Sequence, residues 1–304
     1  MATNISQAFN EFRTRLEIND TLQMAITEHH KSIRNWIESY EQNITTKLIG
    51  SLQRKTRIQP RTKDIFDIDI LVVFGKFLPC RFGSRGVFPD EALNKLDEIM
   101  REHEGYEKMN PKKDYPTVII NYADGTKAEL VPAYIDFIDE PKGRGYYIPK
   151  NFTEWEKADY DYDAEYISNK NKECEGWLIP TIKMLKAAKR NLFPEMKSYH
   201  LEVLATSIIP LLVEYYKSKN FQFSFHDLAY GFFLIAKDKV LKSCSIEGSK
   251  SPDASVYMTY NQKQNLANKF SKIADYCKSI IHLDGRDGIE GWKNLFGEPF
   301  PSYG

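Results

Sequence analysis

The chain has 304 residues, with 42 basic and 42 acidic side chains, so its formal net charge at pH 7 is zero. Hydrophobic residues make up 42% and aromatic residues 13%, which excludes a mostly disordered chain. The zero charge disfavours a generic nucleic-acid binder, because such proteins usually carry a basic excess that neutralises phosphates. At about 100–200 residues per domain, the length predicts two domains or one large two-lobed unit.

The cysteines and the apolar segments indicate the cellular compartment of the protein. The four cysteines form no C-x-x-C pair and lie far apart, at Cys80, Cys174, Cys244 and Cys277. The chain starts MATNISQAFN, which is not typical of a signal peptide. Its longest uncharged apolar run, over 203–213, is too short to span a bilayer. We therefore expect a cytoplasmic protein with free buried thiols and no membrane contact.

The first half of the chain alternates helical and strand-like patterns. The expected elements are a helical segment over 5–43, a β-like segment over 45–49, a strand over 66–74, a helix over 89–104, hairpin strands over 117–122 and 127–131, and an edge strand over 146–149. Asp124-Gly125 predicts the hairpin, because this pair favours a tight two-residue turn. Pro132 is expected to end the second hairpin strand, because proline has no backbone N–H to donate.

The composition changes after about residue 165, where helical periodicity dominates. It runs over 165–216 and continues over 225–242 and 259–283. The layout is therefore an α/β front half and a helical back half. We place one domain over 1–165, with a long N-terminal helix, and a C-terminal helical domain over 166–304.

Two aspartates interrupt the most strand-like run of the sequence, at Asp67 and Asp69. Side chains alternate along a strand, so both carboxylates point to one face while Ile68 and Ile70 point to the other. Adjacent like charges repel, and a divalent cation such as Mg²⁺, which takes carboxylate oxygens as ligands, removes that repulsion. Glu129, on the second hairpin strand, is the third candidate ligand. If its strand pairs beside the first, the three acids converge on one or two metal ions.

A phosphate-binding element is predicted upstream of the aspartates, at Gly50-Ser51. Glycine lets the backbone approach a phosphate closely, and the serine offers the phosphate a hydroxyl and an N–H. A helix that starts here would favour the same anion at its N-terminus. Because Asp67 follows sixteen residues after Ser51, the order of these parts predicts a nucleoside-triphosphate site with a metal held opposite it.

Taken together, these motifs resemble the polymerase-β-type nucleotidyltransferase superfamily. Within it they are most similar to the CD-NTases, the bacterial relatives of cyclic GMP-AMP synthase and oligoadenylate synthetase that serve CBASS anti-phage systems. The resemblance runs from about residue 46 to residue 301, nearly the whole chain. The matching segments are Gly50-Ser51, Thr56, Asp67-x-Asp69, Glu129-x-Val131-Pro132-Ala133, Leu178 to Ala187, Ser198-Tyr199-His200-Leu201-Glu202 and Trp292 to Pro301.

The resemblance implies an α+β fold, in which a polymerase-β-like nucleotidyltransferase core with a mixed β-sheet packs against a C-terminal helical lobe. The active site would lie in the cleft between the two lobes. The implied activity is a cyclic di- or trinucleotide synthase that uses nucleoside triphosphates, releases pyrophosphate and makes a second messenger for anti-phage defence. Two Mg²⁺ ions, with Mn²⁺ as an alternative, would be held by Asp67, Asp69 and Glu129, the expected catalytic and metal-binding residues. Many relatives carry Asp where this chain has Glu129, whose longer reach changes the geometry of the third ligand.

The resemblance also assigns nucleotide-binding roles. The expected nucleotide-binding residues are Gly50, Ser51, Thr56, Lys186, Ser198 and Tyr199. Ser51, Lys186 and Ser198 would grip the triphosphate, and Tyr199 would stack under a base. From the residues alone, the basic run from Arg54 to Lys63 either steers triphosphates or forms a solvated loop.

Two further functions stay open on the same fold. One is a linear template-independent nucleotidyltransferase of the oligoadenylate or tRNA-tail type, which the zero net charge disfavours. The other is a silent nucleotide-binding regulator, which the intact acids disfavour. We expect nucleoside triphosphates as substrates and no obligate nucleic-acid activator, because nothing resembles a zinc-containing DNA-binding insertion. The resemblance further implies CBASS operon partners: an effector that responds to the product, and a ligase that acts on the C-terminal Gly304.

Overall fold

The computed structural model describes residues 2–62, 64–76, 87–135 and 145–304, and Cys80 lies outside these ranges. The helices are α1 (Ile5–Arg15), α2 (Asp20–Tyr40), α3 (Gly50–Gln53), α4 (Pro89–Arg101), α5 (Glu104–Lys108), α6 (Tyr160–Glu173), α7 (Leu178–Leu192), α8 (Ser198–Ser218), α9 (Phe225–Lys239), α10 (Tyr260–Ile280) and α11 (Gly285–Phe296). The strands are β1 (Thr45–Leu48), β2 (Phe66–Lys76), β3 (Lys112–Asp114), β4 (Thr117–Asn121), β5 (Thr126–Ile135), β6 (Tyr146–Pro149) and β7 (Trp155–Ala158). Helices and strands are mixed up to β7, and the described elements after it are helices, as the sequence pattern predicts.

The predicted helical segment over 5–43 is divided into two helices, α1 and α2. Asn4 and Asn19 precede them, and each side chain accepts a hydrogen bond from a backbone N–H of the first turn at 2.9 Å. Such caps satisfy N–H groups that have no partner inside the helix. Asn19 therefore begins a new helix where the hydrophobic periodicity alone suggests a continuous one.

Strand β5 runs through Pro132 to Ile135, so the expectation that this proline ends the strand is wrong. Pro132 is paired with Val72 of β2. On its other side, the register with β4 stops at Leu130 and the register with β6 starts at Tyr134. The missing N–H therefore falls in a gap between two partner strands, where the ladder does not require a donor.

The strands form one mixed sheet. Its order is β1-β2-β5-β4-β3, with β6 paired to β5 and β7 paired to β6. Strands β2 and β5 run parallel, and the other described pairs are antiparallel. The predicted hairpin is confirmed as the β4–β5 pair. The parallel pair matters most for function, because it places the aspartates of β2 beside the glutamate of β5.

Because side chains alternate along a strand, the two faces of the sheet carry different residues and pack against different elements. One face buries Ile68 and Ile70 against α2 and α4. The opposite face carries Asp67 and Asp69 and then a small apolar cluster around Leu71. Helices α6 to α11 have their own, larger core, which also takes in α1. The domain boundary after residue 165 stays a prediction.

The three cysteines in the described ranges are free and buried, as expected. Cys174, Cys244 and Cys277 are buried and unpaired. Burial raises the pKa of Cys174 to about 11 and the pKa of the other two to about 12, so all three are protonated at neutral pH. Among the helices in the described ranges, none combines the length and the apolar character that crossing a bilayer requires.

Candidate active site

Strands β2 and β5 bring the three predicted carboxylates to one face of the sheet. The parallel register pairs Asp69 with Glu129, and two residues earlier it pairs Asp67 with Lys127. Neighbouring strands lie about 4.8 Å apart, so these four side chains form two adjacent cross-strand pairs on the face opposite Ile68. The expectation that the strand of Glu129 lies beside the aspartate strand is confirmed.

Lys127 is the main counter-charge of this acidic face, and it was not among the predicted site residues. Its Nζ lies 3.1 Å from Oδ1 of Asp67 and 2.6 Å from Oε1 of Glu129. The guanidinium of Arg57 is more distant, at 4.0 Å from Oδ2 of Asp67. Lys127 stands two residues before Glu129, so strand alternation could have placed it on the same face.

Asp69 is the carboxylate of this face without a counter-charge. In the described part of the chain, no basic side chain lies within ion-pair distance of it. Burial raises its pKa to about 6, and the neighbouring charges of Glu129 and Asp67 act in the same direction, whereas Arg57 opposes them. Near pH 7 the face therefore holds a partly buried carboxylate whose negative charge is not balanced.

The donor set suits a hard divalent cation. Carboxylate oxygens are the ligands that Mg²⁺ and Mn²⁺ take, and the unbalanced charge of Asp69 is what such a cation neutralises. Across the described ranges, no three His, Cys, Asp or Glu side chains are grouped closely enough to hold a metal ion. The ammonium of Lys127 lies between Asp67 and Glu129 and offsets one of their two negative charges. A cation bound by all three acids would therefore compete with Lys127.

Gly50 lies directly against the acidic face. The chain turns from β1 into the short helix α3 at this glycine, whose φ is +68°. The backbone N–H of Ile49 donates to the carbonyl oxygen of Asp69 at 3.0 Å, which ties the turn to β2. A Cβ added at Gly50 would lie 2.9 Å from Cγ of Asp69 and closer still to Oδ2. Only glycine lets the backbone pass the carboxylate this closely, and the next residue is the predicted Ser51.

A cavity of about 350 Å³ adjoins Ser51, and basic side chains outnumber acidic ones in its lining by four to one. Its polar lining consists of Ser51, Arg57, Asp64, Lys186, Lys189, Arg190 and Ser198. Burial and the charge of Arg190 lower the pKa of Lys189, as expected where cations crowd together. The structure thus brings the predicted triphosphate residues Ser51, Lys186 and Ser198 to one cavity whose charge suits an anion.

Lys186 differs from an exposed lysine in that its ammonium already has three partners in the protein. Its Nζ lies 2.6 Å from Oε1 of Glu202 and donates to the carbonyl oxygen and the hydroxyl of Thr56, at 3.0 and 3.2 Å. An ammonium has three N–H donors, so none is left over. The fully buried Thr56 is therefore placed against Lys186, and the expected contacts of both residues with a nucleotide stay predictions.

Tyr199 is held in place by two contacts. Its hydroxyl donates to Oδ2 of Asp163 at 2.6 Å, and the guanidinium carbon of Arg54 lies 4.9 Å from the ring centroid. Asp163 also accepts hydrogen bonds from Ser249 and Ser251, at 2.6 and 2.8 Å. The orientation of the ring is therefore well defined, and its stacking under a base stays a prediction.

The sequence reasoning missed several basic residues of the cavity. Lys189 and Arg190 are not among the predicted nucleotide-binding residues. The sequence does contain a signal, because positions 189 and 190 lie three and four residues after 186 on α7 and so adjoin it on the helix surface. Arg57 belonged to the basic run whose role was left open, and the structure places it on the cavity wall beside Asp67.

The amino-acid sequence is similar to a known protein family and to a related bacterial protein. A family model, the Second Messenger Oligonucleotide or Dinucleotide Synthetase domain, matches residues 3–171. A probable cyclic nucleotide synthase of Bacillus cereus (strain VD146) is 25% identical in an alignment 283 residues long, which covers 84% of this chain and 81% of that protein. The family match covers the whole sheet, including Gly50-Ser51 and the three acids.

Solved structures share the fold. CdnC of E. coli MS115-1 with ATP superposes with a TM-score of 0.71 at 13% identity, covering 98% of this chain and 99% of that one. The CD-NTase CdnG of Bradyrhizobium diazoefficiens, in complex with GTP, gives 0.70 at 12% identity, covering 96% and 94%. At these identities the likeness establishes the fold, and the predicted polymerase-β-like α+β fold is confirmed.

Proposed function

The chain belongs to the Second Messenger Oligonucleotide or Dinucleotide Synthetase family and is a nucleotidyltransferase that makes cyclic oligonucleotides, and we propose that the reaction takes place on the carboxylate face of β2 and β5. The predicted catalytic residues on this face are Asp67, Asp69 and Glu129. The family membership favours neither a linear transferase nor a silent regulator.

One observation carries the proposal: the acidic face and the cation-lined cavity meet at Gly50-Ser51. Gly50 packs against Asp69, and Ser51 lines the cavity. Arg57 connects the same two regions, since it lines the cavity and lies 4.0 Å from Asp67. A triphosphate bound in the cavity would therefore have its phosphates next to the carboxylates, as nucleotidyl transfer requires.

Asp67, Asp69 and Glu129 are proposed to hold two Mg²⁺ ions, with Mn²⁺ as an alternative. Metal ions held by these carboxylates would neutralise charge on the triphosphate and would make the acceptor ribose hydroxyl a better nucleophile. The hydroxyl oxygen forms a bond to the α-phosphorus as the bond from that phosphorus to pyrophosphate breaks. Glu129, whose side chain is 27% exposed on this face, is the candidate acceptor for the hydroxyl proton.

The cavity residues are proposed to bind and orient the triphosphate. Lys189 and Arg190 supply positive charge, and Ser51 and Ser198 supply hydroxyl groups. Such a preorganised set of donors accelerates phosphate chemistry by positioning and by stabilising charge. Tyr199, at the start of the helix that carries Ser198, is the proposed stacking partner of a base.

The solved relatives support the choice of substrates. CdnC was solved with ATP and CdnG with GTP, so we propose nucleoside triphosphates as substrates here. We further propose a role in CBASS defence, in which an effector responds to the product and no nucleic acid is needed for activation. Gly304 is exposed, which agrees with the proposed action of an operon ligase on the C-terminus.

Pyrophosphate release tests the site assignment. The purified protein would be incubated with ATP, GTP, CTP and UTP in the presence of Mg²⁺, Mn²⁺ or EDTA, and pyrophosphate would be measured by a coupled assay. We expect metal-dependent release by the wild-type protein and a loss of about a hundredfold or more in Asp69→Asn. Release that persists in EDTA, or in folded Asp69→Asn, would contradict the assignment.

A further inference from the structure

Glu202 is a fully buried carboxylate at the junction of the sheet and the helical lobe, and no step of the reaction above uses it. Two cations share it. The Nε of Arg54 donates to Oε2 at 2.7 Å, and its Nη2 donates to Oε1 at the longer distance of 3.4 Å. The Nζ of Lys186 lies 2.6 Å from Oε1. Both cations are buried as well, at 7% and 6% exposure.

The two cations come from different parts of the fold. Arg54 follows α3 and belongs to the turn that contains Gly50-Ser51, whereas Lys186 lies in the middle of α7. Lys186 also donates to the carbonyl and hydroxyl oxygens of Thr56, and the N–H of Thr56 donates to the carbonyl oxygen of Ser51 at 3.0 Å. A continuous set of contacts therefore leads from the buried carboxylate to Ser51 at the cavity.

The second cation leads to the proposed base-stacking residue. Arg54 lies over the ring of Tyr199, 4.9 Å from its centroid, within the range of a cation–π contact. Tyr199 precedes Glu202 by three residues on α8, so both side chains lie on one helix face. Glu202 thus contacts one residue that supports the cavity and one residue that supports the ring.

Charge balance at this junction depends on the carboxylate. Burial alone would raise the pKa of Glu202, but Arg54 and Lys186 outweigh that effect and lower it to about 2. Burial lowers the pKa of Lys186 to about 8, with Arg54 and Arg57 acting in the same direction and Glu202 opposing them. All three groups of the triad are therefore charged at neutral pH. Without the carboxylate, two buried cations would face each other with no anion between them, an arrangement that proteins avoid.

We propose that Glu202 is a positioning residue for triphosphate binding: by pairing with Arg54 and Lys186 at once, it fixes the Ser51 side of the cavity against α7. The inference rests on the proposed function and adds a residue that touches no substrate. Its role is to keep Lys186 as a fixed positive charge on the cavity wall, and Arg54 as a fixed support of Tyr199. Cations whose N–H donors have no acceptor in the described part of the protein, such as Lys189, are then available to bind the phosphates.

Binding of a non-hydrolysable nucleotide measures this role without turnover. The probe is α,β-methylene-ATP, titrated by calorimetry, with the melting temperature recorded for each variant. We expect Glu202→Gln to weaken binding by about tenfold to a hundredfold, the usual effect of losing a charged hydrogen-bond partner. Glu202→Asp keeps the charge but is too short to reach both cations, so we expect an intermediate loss in a variant that retains the fold.

Thr206→Val is the matched control on the same helix. Thr206 is buried, and its hydroxyl donates to the backbone carbonyl oxygen of Glu202 at 2.8 Å. This change disturbs the packing of α8 without removing a charge, so we expect a lower melting temperature and unchanged nucleotide affinity. If the role of Glu202 were purely structural, Glu202→Gln would behave like this control. Its melting temperature would fall, but its affinity, measured well below that temperature, would equal that of the wild-type protein.

A double-mutant cycle tests whether Glu202 acts through Lys186. Lys186→Met removes one of the two cations, so the double variant Lys186→Met/Glu202→Gln leaves one buried cation without its carboxylate instead of two. If Glu202→Gln alone does not fold, Glu202→Asp takes its place in the cycle. We expect the effect of Glu202→Gln on affinity to be several-fold smaller in the Lys186→Met background, as for residues that interact directly. An equal effect in both backgrounds would overturn the inference.

The outcomes separate this inference from the proposed function. Wild-type protein that binds the analogue but releases no pyrophosphate from the four nucleoside triphosphates would contradict the proposed function alone. Folded Glu202→Gln or Glu202→Asp with wild-type affinity would overturn the positioning role alone. Wild-type protein that does not bind the analogue would overturn both.

Discussion

Gly50 and Asp69 approach each other so closely that only a hydrogen fits between the backbone and the carboxylate. A Cβ at position 50 would lie 2.9 Å from Cγ of Asp69, and the φ of Gly50 is +68°. The glycine therefore joins the proposed phosphate-binding turn to the proposed metal-binding strand. This contact explains why the two motifs, far apart in the sequence, form one site.

Gly50→Ala should abolish activity by moving Asp69. The left-handed backbone alone costs about 1–2 kcal/mol for an alanine, and the collision with Asp69 adds to it. Gly285→Ala is the matched control, because Gly285 also has positive φ, at +57°, but no heavy atom lies within 4 Å of its added Cβ. Pyrophosphate release should fall by about a hundredfold in Gly50→Ala and change little in Gly285→Ala. Similar losses in both would show that strain, and not contact with Asp69, is responsible.

Asp69→Asn should make the metal-free protein more stable while abolishing product formation. The charge of Asp69 is buried and close to Glu129, so its removal relieves an unfavourable interaction at pH 7. Asp67→Asn is the comparison, because Asp67 is paired with Lys127 at 3.1 Å, and the loss of this ion pair offsets the repulsion of Asp69 that its removal relieves. In EDTA we expect the melting temperature to rise by about 2–4 °C in Asp69→Asn and not to rise in Asp67→Asn. A lower melting temperature in Asp69→Asn would contradict the charge imbalance.

Metal binding should weaken as the pH falls through about 6. The pKa of Asp69 is raised from 3.8 to about 6 in the folded protein. Between these values the folded, metal-free protein binds more protons than the unfolded chain, so its stability decreases as the pH rises through this window. Below pH 6 a metal ion must displace that proton, and its apparent affinity falls by about tenfold per pH unit.

Calorimetric titration with Mn²⁺ between about pH 5 and pH 8 measures this dependence. The affinity should increase up to about pH 6 and then level off. Asp69→Asn lacks the titrating group, so its weaker binding should depend less on pH. A wild-type affinity that is constant from pH 5 to pH 7 would show that Asp69 is not a ligand.

Lys189→Ala should raise the KM for nucleoside triphosphates without unfolding the protein. Lys189 lines the cavity, and within the described ranges it has no hydrogen-bond acceptor, so its donors are available to phosphates. The loss of one such contact corresponds to about 1.5–3 kcal/mol, or at least a tenfold change in KM. Lys172→Ala, on the exposed surface of α6, serves as the control. Equal KM values for the two variants would remove Lys189 from the triphosphate site.

The features that the sequence predicted well are those with a local pattern. Alternation along β2 predicts that Asp67 and Asp69 share a face, and the Asp124-Gly125 turn predicts the hairpin that carries Glu129. Lys127 was missed although the same alternation places it beside Glu129. A pattern of candidate metal ligands contains only acids, so it does not indicate a lysine that pairs with them.

The features that the sequence could not predict depend on contacts between distant segments. Arg54 and Glu202 are 148 positions apart, and no periodicity connects a loop residue with a buried helix residue at that distance. The three partners of Lys186 likewise follow from the packing of α7 against the turn after α3. The persistence of β5 through Pro132 depends on where β4 ends and β6 begins, which is also a tertiary property.

The mass of the reaction product tests the central claim most directly. Wild-type protein and the Asp67→Ala/Asp69→Ala double variant would be incubated with the four nucleoside triphosphates and Mg²⁺, treated with phosphatase, and examined by mass spectrometry. The account predicts a phosphatase-resistant product with the mass of a cyclic di- or trinucleotide, formed by the wild-type protein and missing from the double variant. Products that are only linear, or a cyclic product that persists in the folded double variant, would contradict it.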